Sequence, residues 1–192
     1  MPGKRHILIC SLSEKPEKAI KSASITWTNT PLTCFQRAVT EKYTHIVVIL
    51  PAENSDIYHH AIELCKIIKA TPLTSSVSVV FFLEKPHRKL LDALAAAGAD
   101  GVDIRPVPSL DQPDQMEERV KTLCSGNSFS PVQTVLKSLC PYLSDLKDDK
   151  AEFTVCGAYR HRMFLGGERL KNLCHSKNHR YCEFYQNPRD FK

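Results

Sequence analysis

No stretch of this chain approaches the roughly 18 consecutive apolar residues that a membrane-spanning helix needs. A secretory leader is also lacking: the start is basic, but its apolar run covers only Ile7 to Cys10, and no small-residue cleavage site follows. Phosphate loops and dinucleotide fingerprints are missing. Gly166-Gly167 reads as a turn, because no strand precedes it and no Lys-Ser/Thr follows. There is no internal repeat and no low-complexity tract. Neither sign of charge dominates: 26 basic against 21 acidic residues leave a net charge of +5, too little to argue nucleic-acid binding by itself. These absences point to a cytoplasmic chain whose thiols stay reduced. Its 192 residues suffice for one ordinary domain and a small second one.

Residues 1–125 alternate between strand-like and helix-like patterns. Short apolar runs suited to buried parallel strands occur at Ile7 to Cys10, Ser24 to Trp27, His45 to Leu50, Val77 to Phe82 and Val102 to Ile104. Helical spacing appears at Leu32 to Tyr43, at Ile57 to Ala70, from Pro86 onward (Leu90, Leu91, Leu94) and around Met116, Val120 and Leu123. Gly98 is placed to stop the third of these helices. Five strand–helix units of this length imply parallel crossovers, hence an α/β fold with a five-stranded doubly wound parallel sheet. Ser125 to Ser128 is a polar break and sets the expected boundary between residues 1–125 and 126–192. Beyond it, Ser130-Pro131 reads as the start of a helix through Leu139. Residues 142–192 show no strand alternation and are expected to form a small irregular or helical module.

Close cysteine pairs of the Cys-x2-4-Cys type are absent, although the chain has eight cysteines. Cys10, Cys34 and Cys65 lie in apolar periodic segments and read as core, and Cys124 ends an apolar stripe. Cys140, Cys156, Cys174 and Cys182 differ. They stand in polar surroundings, with 15, 17 and 7 residues between them. Four soft thiolates in a reducing compartment fit one metal centre better than disulfides. A segment so short and polar also needs a staple to stay folded. Structural zinc commonly uses close cysteine pairs, whereas wide spacing suits a [4Fe-4S] cluster, which takes one thiolate per iron. Zn remains the alternative. His161, His175 and His179 lie among the cysteines as substitute ligands or solvent-facing residues. Tyr159, Phe164, Tyr181, Phe184 and Tyr185 are expected to wrap the site. From Ala151 to Lys192 eight Lys/Arg face four Asp/Glu, densest at Tyr159-Arg160-His161-Arg162. This is a solvated face or a contact for nucleic acid or an acidic partner.

The run Ala97-Gly98-Ala99-Asp100-Gly101-Val102-Asp103-Ile104-Arg105-Pro106, set in the five-unit pattern, resembles the response-regulator receiver family over about residues 4–124. Any flavodoxin-like domain is the alternative. The resemblance implies an acidic pair after the first strand, a phosphorylated aspartate ending the third, a Ser or Thr after the fourth and a Lys after the fifth. Here those places hold Cys10-Ser11, Leu50-Pro51, Leu83-Glu84 and Arg105, with Glu53 and Asp56 the nearest acids beyond the third strand. Phosphoryl transfer needs the metal and the in-line carboxylate together, so the domain is expected to be a pseudo-receiver that binds a protein partner or a second copy. The family's cis bond after the fifth strand makes Arg105–Pro106 the expected cis bond. Cys140-Pro141 is similar to the Cys-Pro that follows many cluster ligands. The tail resembles a Cys-x17-Cys-x7-Cys module of other bacterial regulatory and wall-binding proteins, which does not name the metal. The chain therefore reads as a non-catalytic regulatory or adaptor protein with a redox-responsive cluster. The alternatives are a zinc-stapled interaction module and an electron-transfer subunit.

Overall fold

The structure is a computed structural model that describes residues 6–12, 25–50, 56–105, 113–126, 129–148, 151–160 and 163–189. The chain divides into two compact units. One comprises Met1–Lys85 and Ala93–Val132, the other Pro86–Asp92 and Gln133–Lys192.

The larger unit is built on β1 (Ile7–Ser11), β2 (Ile25–Thr28), β3 (His45–Leu50), β4 (Ser78–Leu83) and β5 (Gly101–Ile104). All five pair in parallel in the order β2-β1-β3-β4-β5. This is the strand order of flavodoxin-like folds, receivers among them. The apolar runs have the reason given above: every residue of β1 and β3 is buried, as strands covered on both faces must be. On one face Ile7, Ile9, Val47, Ile49, Val80 and Phe82 pack with Val120, Leu123 and Cys124 of α4 (Pro113–Gly126). Helices α1 (Pro31–Thr40) and α2 (Asp56–Ala70) bury Cys34, Ala38, Ala61, Leu64, Cys65 and Ile68. The stretch between β1 and β2 lies outside the described residues, and with it any first helix.

Local chemistry fixes the element ends. The Thr30 hydroxyl accepts from the Thr33 amide at 3.2 Å and Pro31 follows, which opens α1. The helix expected from Pro86 starts two residues later, as α3 (Arg88–Ala96), where the Leu90 amide donates to His87 Nδ1 at 3.2 Å. Gly98 ends α3 at φ +85°, with Ala99 N bonded to Leu94 O at 3.0 Å and Gly98 N to Ala95 O at 3.1 Å, the paired closure only an easy left-handed residue allows. Asp100 then accepts from the Val79 amide at 2.7 Å and pairs with Lys69 at 2.7 Å. The Ala-Gly-Ala-Asp run is thus a helix stop followed by a strand clamp.

Beyond α4, Phe129 lies on Gly101, and Ser130 bridges Val102 in antiparallel fashion rather than serving only as a helix start. A Cβ at Gly101 would stand 2.2 Å from Phe129 Cδ2. Gly101→Ala is therefore expected to destabilise the sheet unit by about 1–3 kcal/mol through overpacking. A urea midpoint lowered at constant slope would show it, and Phe129→Ala in the same chain should recover part of the loss.

β5 also carries a buried acid. Asp103 accepts from Arg105 Nε at 2.7 Å and from Arg119 Nε at 2.9 Å, and the Arg119 guanidinium lies 5.1 Å from the centre of the Phe82 ring. The Asp103 carboxylate holds the Arg105 guanidinium above its ordinary pKa. Arg105 thus has a partner within its own strand. Pro106 lies outside the described residues, and so does the expected cis bond; no peptide bond among the described residues is cis.

The smaller unit departs from the irregular or helical module the sequence suggests. It contains α5 (Val132–Ser138) and an antiparallel hairpin, β6 (Leu143–Asp148) with β7 (Ala151–Cys156). Val155 bridges Phe164, so a second segment borders β7. The hairpin escapes pattern reading because its outward residues are apolar and one inward residue is acidic. Phe153 and Leu146 are about two-fifths exposed, whereas the Asp145 side chain is nine-tenths buried. No helix among the described residues is long and apolar enough to cross a membrane.

Candidate metal centre

Each of the four cysteines stands at the end of a local element. Cys140 follows α5, Cys156 ends β7, Cys174 closes a π-helical turn (Leu170–Cys174), and Cys182 separates a 3-10 turn (Lys177–Tyr181) from a short helix (Glu183–Gln186). The π turn is defined by the His175 amide reaching Leu170 O at 2.9 Å, and such turns recur at functional sites. Backbone bonds draw three of these places together. Cys140 N donates to Cys174 O at 2.8 Å, Leu143 pairs with Cys156 in the hairpin, and Cys156 N donates to Met163 O at 3.0 Å.

All four cysteines line a single small pocket, part of it open to solvent. Its wall includes Tyr142, Leu173, His179, Phe184 and Tyr185. Cys140, Cys156 and Cys174 are buried and Cys182 is half-buried. Burial pushes the Cys140 thiol up, and burial with the neighbouring thiols pushes Cys174 up to about 12. Among the described residues no three Cys, His, Asp or Glu side chains converge closely enough to hold one metal ion. The pocket thus brings four cysteines to one place without forming a tight tetrahedral cage. That donor set fits a multi-iron cluster, with an apolar wall to exclude water.

The aromatic shell is part of what the sequence suggests. Phe184 and Tyr185 line the pocket, and Tyr159 packs on Phe184 with ring centres 4.9 Å apart. Tyr181 is 81% exposed and Phe164 71% exposed, so these two do not wrap it; Phe164 packs on Phe153 instead. Among the histidines, His179 is buried rather than solvent-facing. Its Nδ1 lies 2.7 Å from Ser176 O, and its ring meets Tyr185 at 5.1 Å. His175 is half-buried, and burial lowers its pKa. His161 and Arg162 lie outside the described residues. Cys10, Cys34, Cys65 and Cys124 are buried within the larger unit.

Sequence reading missed the contribution of Pro86–Asp92 to this unit. Arg88 donates to the carbonyls of Leu139 and Cys140, each at 3.3 Å, and His87 Nε2 lies 3.4 Å from Asp145. No local signal marks this role, since the partners are about fifty residues away in sequence.

Metal uptake by such a site is expected to strengthen with pH. Loading converts thiols to thiolates and releases protons, and a thiol raised by burial gives up its proton only at higher pH. Because Cys140 and Cys174 are both raised, apparent affinity should climb from about pH 6 to about pH 9 in competition with a chelator. A flat profile would contradict thiolate ligation.

At the places where a receiver keeps its phosphorylation chemistry, β1 ends in Cys10 and Ser11, β3 in Leu50 and β4 in Leu83, all buried. Glu53 and the Asp56 side chain lie outside the described residues. No protein-family model matches the chain, and no curated protein matches it. Among solved structures it is similar to the RcsB response regulator of Salmonella typhimurium, at 15% identity over 71% of this chain and 69% of that one, with a TM-score of 0.43. It is also similar to DrrB of Thermotoga maritima, a response regulator and OmpR/PhoB homolog, at 14% identity over 80% of this chain and 60% of that one, with a TM-score of 0.42. Likenesses so distant carry no argument on activity. The chain is an α/β protein with a five-stranded parallel sheet, and that rests on its own strand order.

Proposed function

We propose that this chain is a non-catalytic regulatory or adaptor protein of the cytoplasm. Its receiver-like unit serves as a docking surface for a protein partner or a second copy. Its smaller unit holds a [4Fe-4S] cluster on Cys140, Cys156, Cys174 and Cys182, and the cluster's oxidation state or integrity governs binding. The observation that carries this reading is the convergence of four thiols, from four separate chain segments, on one aromatic-walled pocket. A thiol-only donor set without a close Cys-x2-4-Cys pair favours a cluster over zinc. When bound, the cluster supplies a one-electron couple. The chain's own part is to present thiolates from fixed turns, to keep water from three of them, and to anchor Cys140 through Arg88.

Protein purified without oxygen is expected to be brown, with iron and acid-labile sulfide in equal amounts. A colourless protein carrying zinc would make the module a zinc staple without redox function, and a protein with neither metal would sink both readings. The receiver-like unit is expected to take no phosphoryl group from a small-molecule donor. Stable, magnesium-dependent labelling of Glu53 or Asp56 would overturn its non-catalytic standing.

A further inference from the structure

The four cysteines are not equivalent. Cys140, Cys156 and Cys174 are only 7–8% exposed, while Cys182 is partly exposed, between Tyr181 and Glu183, which are both exposed. Their anchoring differs in the same sense. Cys140 and Cys174 are joined backbone to backbone, Arg88 holds the Cys140 carbonyl, and Cys156 is bonded into the hairpin and to Met163. Among the described residues, the backbone bonds of Cys182 reach only its neighbours: its amide donates to His179 O, and its carbonyl accepts from Tyr185 and Gln186. The neighbours of Cys182 are packed, with Phe184 on Tyr159 and Arg189 N donating to Ala158 O at 2.8 Å. What sets Cys182 apart is its own exposure and its lack of a long-range backbone bond among the described residues.

We propose that Cys182 is the exchangeable ligand of the centre, so that the iron it holds is the one reached by small oxidants and by external thiolates. The three buried thiolates keep the rest of the cluster closed. This inference rests on the cluster reading above. The step it implies balances as follows. A one-electron oxidant such as ferricyanide takes one electron from the dicationic four-iron cluster and becomes ferrocyanide. The cluster divides into a monocationic three-iron cluster and ferrous iron, and the freed Cys182 thiolate takes a proton from water.

The test uses the full-length protein, loaded and handled without oxygen. Titration with ferricyanide is expected to release one iron in four, to produce the electron paramagnetic resonance signal of a three-iron cluster, and to expose Cys182 first to iodoacetamide, read by peptide mass spectrometry. Labelling of Cys140, Cys156 or Cys174 before Cys182, or of all four together, would overturn the proposal. Variants give an independent reading. Cys182→Ala is expected to keep about three-quarters of the iron and to regain the remainder with 2-mercaptoethanol, whereas Cys156→Ala keeps none. Equal loss in both variants would overturn the proposal while leaving the cluster in place. Wild-type protein without iron would instead remove the reading on which it rests.

Discussion

Replacing Cys156 with alanine is expected to strip the smaller unit of its metal and make residues 133–192 sensitive to protease, while the five-stranded sheet stays folded. The reason is the thinness of the unit's own core. Its buried apolar cluster is Cys140, Leu143 and Cys174, flanked by partly buried rings and leucines, so two of its three central members are themselves proposed ligands. Such a core offsets little chain entropy, and metal affinity then appears directly as folding energy. Cys140→Ala and Cys174→Ala should behave alike. Cys10→Ala, Cys34→Ala and Cys65→Ala provide the contrast: each removes a fully buried thiol from the larger unit, costs about 1–3 kcal/mol of packing, and leaves metal content unchanged. Elemental analysis with limited proteolysis separates the two classes. A Cys156 variant with full metal and a resistant tail would refute the shared centre.

The second large effect is expected in the sheet. Asp103→Ala should destabilise the larger unit by about 3 kcal/mol, because the Arg119 partner is left charged in a place with little water. The Asp103 and Arg119 side chains are only 7% and 15% exposed. Arg105, on the same carboxylate, is 57% exposed, so Arg105→Ala should cost no more than about 1 kcal/mol. The double change Asp103→Leu with Arg119→Met should recover most of the loss, since a neutral pair of similar volume strands no charge. Urea denaturation of the four proteins checks this. Equal costs for Asp103→Ala and Arg105→Ala would show that the exposed arm, not the buried one, carries the interaction.

What the sequence discloses of this fold follows the strength of local physics. β3 is legible to the residue because six consecutive apolar or β-favouring side chains, His45 to Leu50, have no other stable use than a strand buried on both faces. Gly98 is legible as a stop because its left-handed conformation is cheap only for glycine. β6 and β7 are not legible: a two-stranded hairpin with Phe153 and Leu146 turned outward and Asp145 inward lacks the alternation that marks a half-buried strand. The cysteine pocket is legible in its members, since unusual thiols in polar surroundings stand out, but not in its geometry. The places of Arg88 and His179 depend on contacts that no spacing rule encodes. The missed exposure of Tyr181 and Phe164 has the same origin, because an aromatic residue near a cysteine in sequence need not face it.

The segment Pro86–Asp92 sets the order in which this protein can be made. It is synthesised before Ala93–Val132, yet its companions, Gln133–Lys192, come after that stretch. During synthesis His87 and Arg88 must therefore wait, without Asp145 or the Cys140 carbonyl, for more than fifty further residues. A fragment starting at residue 126 or 133 never acquires them. The smaller unit is a late-closing clasp: no single cut releases it intact, and it is complete only once the earlier segment and the later one are both present.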